Sequence, residues 1–535
     1  MAGMEIKSKN DMGATKQIAR GALTVMAAFV VSNLVGLLAK TLTARYYGTG
    51  IESNAFFAAN RFSEVLFNLV AGGALGSAFI PVFTGMLAKK ETHRAWKLAS
   101  SVVNLVTIVL TVLSILTIIF SKQVVQYILA PGFSGEEMLL TAKLLRIQVV
   151  SSVIFGLSGL VMAALNAHQY FLLPAIAPAM YQIGWIFGIF ILEPKMGIFG
   201  LAWGVVIGAF FHLVVQIPRL IGLPKVKYSP GLGLEITEVR EVLRLMAPRL
   251  LGVAVVQLNF LLNTFLASFQ QEGSITALSL AFPLMIMPQA AIAQSIAIAA
   301  LPTFSAQVAK NKIDEMQKSL AASLRAVLLL SIPSSIGLIL LRKPIVSILY
   351  GGSAFTTDSI KLVSWALLWY SIGLVGHCLV EVVSRAFYAL HDTKTPVFVG
   401  VGAMTGNLIL SFFFSTAFSK IGWMPHGGLA FANSAATAVE SVILLLLMHR
   451  KIKGLHEKSI AESLIKSVIA SLGMVGVILI LGKFVGVERT LPYVILSILL
   501  GFITYGLLLI ALKTKDVALV ISMIQKRLKK GSRNG

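Results

Sequence analysis

Apolar stretches long enough to cross a bilayer recur about fourteen times between Met1 and Gly535, separated by loops whose basic charge alternates between heavy and light. A hydrocarbon core of ~30 Å needs about 20 helical residues per crossing. Within it only helices and closed barrels satisfy every backbone N–H and C=O. Barrel strands alternate polar and apolar residues one by one, and these runs are continuous, so the chain is expected to be an all-α polytopic membrane protein. The expected spans are 21–45, 54–87, 98–121, 138–165, 172–192, 197–218, 243–269, 274–308, 319–341, 358–390, 396–417, 427–448, 464–483 and 490–512. The second, eighth and tenth exceed what one crossing needs and are expected to tilt or project beyond the membrane.

Hydrophobic residues make up 57% of the chain and charged residues 13%, yet the net charge is +23. A balance this basic would point a soluble protein toward nucleic acid. Here the positives sit in short loops beside apolar spans, the pattern of topology signals and anionic-lipid contacts, so no nucleic-acid partner is expected. The single cysteine, Cys378, lies inside a span, which excludes an intrachain disulfide and suits a small buried apolar residue. The first apolar run, from about Ala22, is too long for a signal-peptide core and is expected to remain as the first helix.

The basic loops are the two tails and the links after even-numbered helices. Lys7, Lys9, Lys16 and Arg20 precede the first span, and Lys89, Lys90, Arg94 and Lys97 follow the second. Arg219, Lys225, Lys227, Arg240 and Arg244 follow the sixth, and Lys310, Lys312 and Lys318 the eighth. Arg385 and Lys394 flank the end of the tenth, and Arg450, Lys451, Lys453 and Lys458 follow the twelfth. Lys526, Arg527, Lys529 and Lys530 close the chain, while the intervening loops are lighter, with Arg342 and Lys343 the main exception. The positive-inside rule then puts both termini in the cytoplasm. Residues Val517 to Leu528 fit either an amphipathic helix on an anionic leaflet or a solvated tail.

The chain also repeats itself at about 220 residues. Ala78-Phe79-Ile80-Pro81-Val82-Phe83 and Ala300-Leu301-Pro302-Thr303-Phe304 each precede a basic link. Ile128-Leu129 before Gly132 recurs as Ile348-Leu349 before Gly351, and Gly197-Ile198-Phe199-Gly200-Leu201-Ala202 as His426-Gly427-Gly428-Leu429-Ala430. Each copy covers six helices, an even number, so the two have the same orientation in the membrane. Parallel repeats of this kind are related by an axis along the membrane normal, with the substrate site between them. The expected organisation is a tail (1–20), an N-lobe of helices 1–6 (21–221), a cytoplasmic amphipathic linker (222–242) and a C-lobe of helices 7–12 (243–450). A cytoplasmic link (451–463), helices 13–14 (464–512) and a basic tail (513–535) complete it.

Two parallel six-helix lobes with two further helices resemble the MOP transporter superfamily, and within it the MurJ (MviN) lipid II flippases. The resemblance spans nearly the whole chain. Its most specific residues are Ala44-Arg45-Tyr46-Tyr47-Gly48, Asn54-Ala55-Phe56-Phe57-Ala58 and Gly73-Ala74 running on to Ala78-Phe79-Ile80-Pro81-Val82. To these add Ser384-Arg385 and the block Phe387-Tyr388-Ala389-Leu390-His391-Asp392-Thr393-Lys394-Thr395-Pro396, which looks like the family's loop after helix ten. The resemblance implies a flippase that carries the undecaprenyl-pyrophosphate-linked peptidoglycan precursor between leaflets by alternating access, without enzymatic chemistry. It implies too that helices 13 and 14 form a groove for the polyprenyl tail, and that cell-wall synthesis or division proteins are partners. No cofactor is expected; the membrane potential or a cation is the expected means of coupling.

Family members line their central cavity with basic residues to hold the pyrophosphate. In this chain the two first-helix arginine positions fall on Asn33 and Ala39, and the acidic neighbour on Lys40. The second-helix positions fall on Phe67 and Gly72, the helix-eight Asp-Arg pair on Phe282 and Pro283, and a basic position of helix ten on Glu381. Ionisable residues inside spans default to function, which leaves Lys40, Arg61, Glu64 and Glu381 as the leading candidates. Arg61 and Glu64 are three apart and share a helical face, so they form either a binding pair or a self-neutralised structural one. Lys40 either donates to a phosphate or snorkels to the interface. Asn33, Asn68, Asn259 and Asn263 suit a polar headgroup or helix–helix hydrogen bonds. His377 and Glu381, four apart, suit a proton- or cation-sensitive pair or a satisfied interior histidine.

The chain has no phosphate-cradling Gly-Lys-Ser/Thr loop and no Cys/His cluster at metal spacing, so neither direct ATP hydrolysis nor a metal centre is expected. Three functions stay open on sequence: the flippase, a cation-coupled exporter of amphiphiles or another lipid-linked oligosaccharide, and a non-transporting paralogue.

Overall fold

The computed structural model describes residue 28 and residues 30–70, 73–485 and 491–514. Among these there is no strand. Two compact units divide the chain at Ile275 and Thr276. The first contains α1 (30–47), α2 (Ile51–Val70), α3 (Gly73–Ala88), α4 (Thr92–Ile119), α5 (Ser121–Val124), α6 (Gly135–Gln148) and α7 (Val150–Ala167). It continues through α8 (Leu172–Phe187), α9 (Glu193–Met196), α10 (Ile198–Val214), α11 (Ile217–Ile221) and α12 (Thr237–Ser268). The second, which opens within α13 (Ser274–Gln289), holds α14 (Ser295–Ala309), α15 (Ile313–Tyr350), α16 (Thr357–Ile372) and α17 (Leu374–Ala389). Then come α18 (Lys394–Lys420), α19 (His426–Ile452), α20 (Glu457–Val485) and α21 (Leu491–Ala511). Single π-helical turns carry the chain on at Val125–Leu129, Gly188–Leu192 and Ala290–Gln294.

Among the described residues ten segments are long and apolar enough to cross a membrane, and two bent pairs raise this to twelve. One pair is Thr237–Ala247 with Gly252–Ser268, bent by 47°. The other is α16 with α17, bent by 44° at Gly373, where a Cβ would lie 2.5 Å from the Ser434 hydroxyl. The expected first and second spans, 21–45 and 54–87, and the basic tail 513–535 lie partly outside the described residues, and the tail 1–20 and the stretch 517–528 lie wholly outside them. The protein is a multi-pass membrane protein.

Three expected boundaries need correction. Helix seven begins at Thr237, so the linker proper is shorter than 222–242. The same helix packs on α2 and α3, so the first unit extends to Ile275 and does not end with the sixth helix. Arg342 and Lys343 are not loop residues. α15 runs through them to Tyr350, because the flanking Leu340-Leu341 and Ile345-Val346 continue its apolar pattern.

Small residues decide the packing, as they do where helices associate without a hydrophobic driving force. In the first unit Gly184 of α8 and Gly188 of the π-helical turn that follows it meet Gly208 and Gly204 of α10 so closely that an added Cβ would fall 2.2 Å and 2.6 Å from the facing Cα atoms. The repeated Gly-Leu-Ala landmark has the same physical cause in both units. A Cβ on Gly200 would fall 2.4 Å from the Glu193 nitrogen, and one on Gly428 would fall 2.5 Å from the Phe414 carbonyl oxygen. In each copy the glycine lets a helix start against the backbone of its predecessor.

The chain leaving each repeat is also held alike. From the turn at Pro224 and Lys225 to Gly231 the linker runs along α4, whose Trp96, Ser100 and Asn104 recur every four residues on one face. Trp96 Nε1 donates to the Pro224 carbonyl at 3.3 Å, Ser100 Oγ accepts from the Ser229 amide at 3.1 Å, and Asn104 Nδ2 donates to the Gly231 carbonyl at 2.8 Å. On α15 the matching positions do the same work: Gln317 donates to the Ile452 carbonyl and Arg325 to Ser459 Oγ at 3.3 Å. In the second unit the chain then turns into α20, which packs along α15.

Candidate functional site

The polar residues of the first unit gather where α1, α2 and α12 present one face each. On α2, Asn60, Arg61, Glu64 and Asn68 share a stripe at helical spacing. Arg61 Nη1 donates to Glu64 Oε2 at 2.8 Å, and Asn60 Nδ2 donates to Glu64 Oε1 at 2.9 Å. The Arg61 guanidinium also lies over the Phe260 ring of α12, 5.1 Å from its centroid. The Arg61 and Glu64 side chains keep 28% and 41% of their surface exposed, so the pair is only half withdrawn from its surroundings. Lys40 on α1 stands within electrostatic reach of both, and among the described residues it donates no hydrogen bond.

The cluster therefore carries one net positive charge: two cations against one carboxylate. Part of the Arg61 fork is spent on Glu64, which leaves the remaining guanidinium N–H groups and the Lys40 ammonium for an anion. Asn263 Nδ2 donates to Asn259 Oδ1 at 3.2 Å on α12, the helix that also bears Phe260. Asn33 is exposed on α1, and Asn68 is half-buried on the stripe.

Of the two readings open for His377 and Glu381, the pair that their spacing permits is not formed, because each residue has another partner. His377 Nε2 meets Asn433 Oδ1 at 3.1 Å across to α19, and Glu381 Oε1 accepts from Arg385 Nη2 at 2.9 Å one turn along α17. Both belong to the second unit, and the Lys40–Arg61–Glu64 cluster to the first.

Asp392 of the family loop caps α18. Its Oδ1 accepts from the Thr395 amide at 3.0 Å, and its Oδ2 accepts from Thr395 Oγ1 at 2.7 Å and from Lys451 Nζ at 2.5 Å. Lys451 first, then the Thr395 amide, hold the Asp392 carboxyl down to about 2. His391 takes φ +57° to turn the chain, and Thr393, Lys394 and Pro396 lead into the helix. The motif thus ties the α17–α18 turn to the end of α19.

The second unit also holds an apolar groove of about 420 Å³ lined from α15, α20 and α21, with Pro288 and Ile292 at one edge. Leu338, Met474, Ile478 and Phe502 line it, and Gly337 opens it, having no atom within 4 Å of where a Cβ would stand. Tyr505, whose hydroxyl donates to the Leu329 carbonyl at 2.7 Å, fixes α21 against α15.

Sequence reasoning missed three contributors. Asn60 was legible, being four residues before Glu64. Phe260 was not, since nothing local marks one phenylalanine of α12 as the one under Arg61. Glu440, 8% exposed on α19, is an intramembrane carboxyl that makes no hydrogen bond or ion pair among the described residues. Its signal, a lone acid in an apolar span, was present in the sequence.

A family model described as lipid II flippase MurJ matches residues 43–502. The lipid II flippase MurJ of Burkholderia cenocepacia is 29% identical over 451 residues, covering 82% of this chain and 85% of that one. The probable lipid II flippase MurJ of Vibrio cholerae is 28% identical over 477 residues, covering 87% and 88%. A solved lipid II flippase MurJ in an inward closed conformation aligns with a TM-score of 0.78 at 27% identity, covering 91% of this chain and 98% of its own. An inward-facing multidrug resistance MATE transporter of the MOP superfamily aligns at 0.66 and 15% identity, covering 81% and 96%, a likeness of fold alone. With the model match covering most of the chain and the motifs in their expected order, the chain belongs to the lipid II flippase MurJ family.

Proposed function

We propose that this protein moves lipid II, the undecaprenyl-pyrophosphate-linked peptidoglycan precursor, across the bacterial cytoplasmic membrane by alternating access, with both termini in the cytoplasm. The observation that carries the reading is the apolar groove of the second unit beside a family match over residues 43–502. A polyprenyl chain has only apolar surface to offer, and a groove lined by leucine, isoleucine, methionine and phenylalanine between transmembrane helices suits it. Lys40 and Arg61 would receive the pyrophosphate, with the asparagines Asn33, Asn68 and Asn263 toward the sugar and peptide. Anionic lipids and cell-wall synthesis or division proteins are its expected partners. The membrane potential or a cation is the expected drive.

The second function left open on sequence, a cation-coupled exporter of amphiphiles, is not favoured by the comparisons, whose full-length matches are lipid II flippases. Replacing a chromosomal lipid II flippase gene with this one separates the two. Growth and cell shape are sustained if lipid II is moved, and well-inserted protein without rescue refutes the proposal.

A further inference from the structure

The first unit has an apolar cleft of its own, lined by none of the residues of the charge cluster. A cavity of about 320 Å³ lies between α4, α7, α10 and α11, with Phe79, Trp96, Leu160 and Leu220 in its walls. A second, of about 460 Å³, shares Val103, Leu157 and Tyr228 with the first and continues along α4 to Ile108. The linker covers both, and its exposed Val226, Lys227 and Tyr228 form the rim. Further along α4, Ile108, Val112, Ile115 and Ile119 are exposed, so this side of the helix faces lipid. The corresponding face of α15 is covered by α20.

The charges around the cleft are asymmetric. Glu91 and Glu238 bond Arg94 at 3.4 Å and 2.7 Å, and Glu235 stands 4.0 Å from Lys97. Those carboxylates are thus occupied, while Lys225 and Lys227 have no ion-pair partner among the described residues. Lys227 is the one charged residue lining either cavity. Arg219, on α11 beside the lining residues Ile217 and Leu220, stacks on Tyr170 at 3.6 Å, which fixes its plane and leaves its N–H edge free to donate. Inside the deeper cavity the buried Thr107 Oγ1 has no hydrogen-bond partner among the described residues.

We infer that this cleft is a binding site for one anionic glycerophospholipid of the leaflet facing the basic loops. One acyl chain fills the apolar depth between α4 and α7, and Lys227, with Arg219, takes the phosphate. Cavities of a few hundred Å³ accept a single ligand chain rather than a helix, which is about 10 Å across. The unpaired cations at the rim select an anionic headgroup over a zwitterionic one. The lipid would brace the linker on α4, since it packs beneath the same segment that Trp96, Ser100 and Asn104 hold. The site does not depend on which substrate the protein moves.

Trp96 lines the cleft and reports on it. The full chain is reconstituted into phosphatidylcholine bilayers doped with brominated phosphatidylglycerol or, separately, brominated phosphatidylcholine. The fluorescence lost in Trp96→Phe defines the Trp96 contribution. That contribution should be quenched more by the anionic lipid. The preference should fall about fivefold in Lys227→Gln, the equivalent of ~1 kcal/mol per basic residue near an anionic surface, and further with Arg219→Gln added. Ala164→Leu, or Ala99→Leu if the first does not fold, fills the cleft and should abolish quenching by either lipid. Equal quenching by both lipids in the unaltered protein overturns the inference, as does a preference that survives Lys227→Gln. If Trp96 becomes quenchable only when residues 1–27 are deleted, the tail is the occupant and the lipid assignment fails.

Discussion

Changing Arg61 and Glu64 together to glutamine tests the charge cluster most sharply, because the two substitutions keep shape and hydrogen bonding while removing both charges. The pair is half exposed, at 28% and 41% of the side-chain surface, and joined at 2.8 Å. An i,i+3 pair of this exposure contributes about 0.3–0.5 kcal/mol, and the stacking of Arg61 on Phe260 about 0.5–1 kcal/mol. The double variant should therefore lose only about 1–1.5 kcal/mol of stability and insert normally. Transport should respond far more strongly. A charge-assisted guanidinium–phosphate bond is worth about 1.5–3 kcal/mol, so losing it lowers flipping of sub-saturating substrate by about ten- to a hundredfold. Glu64→Gln alone leaves Lys40 and Arg61 in place and retains activity, while the double variant keeps only Lys40. The assay follows a fluorescent lipid II analogue in proteoliposomes, normalised to folded protein. Full transport by a well-folded double variant would make Arg61–Glu64 a structural brace and leave recognition to Lys40 and neutral groups.

Gly337→Phe places a ring in the groove of the second unit, where space is open around the glycine; it should leave thermal unfolding unchanged and block flipping of long-chain but not short-chain substrate analogues. Gly428→Ala would force a Cβ to 2.5 Å from the Phe414 carbonyl oxygen, a backbone atom that cannot swing away, costing about 1–3 kcal/mol in unfolding measurements, whereas Gly402→Ala meets open space and should be neutral or stabilising. Asp392→Ala should cost about 1 kcal/mol through the lost cap. The Asp392 carboxyl is held down to about 2, so its contribution is complete above the ordinary carboxylate value near 4 and disappears as pH falls from there toward 2; a stability difference between Asp392→Ala and the unaltered protein that persists unchanged at the acid end of this window would contradict the assignment.

Several features were legible because they are local or periodic. Arg61 and Glu64 pair because three residues along a helix bring side chains together, which spacing alone dictates. Asp392 and Thr395 form a cap for the same reason. The repeat landmarks marked real equivalences, since Gly200 and Gly428 answer one steric demand at the same point of two copies. His377 and Glu381 show the limit of such reasoning. Their spacing permits a pair, but Asn433 stands closer in space to one, and Arg385, equally spaced, competes for the other with full charge.

The amino-acid sequence by itself determined that this is a multi-span helical membrane protein, because bilayer thickness and backbone hydrogen bonding leave an apolar run of that length few alternatives. It also marked the ionisable residues that the membrane makes costly. Only the tertiary structure decided which phenylalanine lies under Arg61, that helix seven packs with the first unit, and that the linker runs along α4 above an apolar cleft. Those outcomes depend on contacts between residues more than a hundred positions apart. Such contacts are set by close packing at small residues and by hydrogen bonds to a distant backbone, neither of which leaves a period in the sequence.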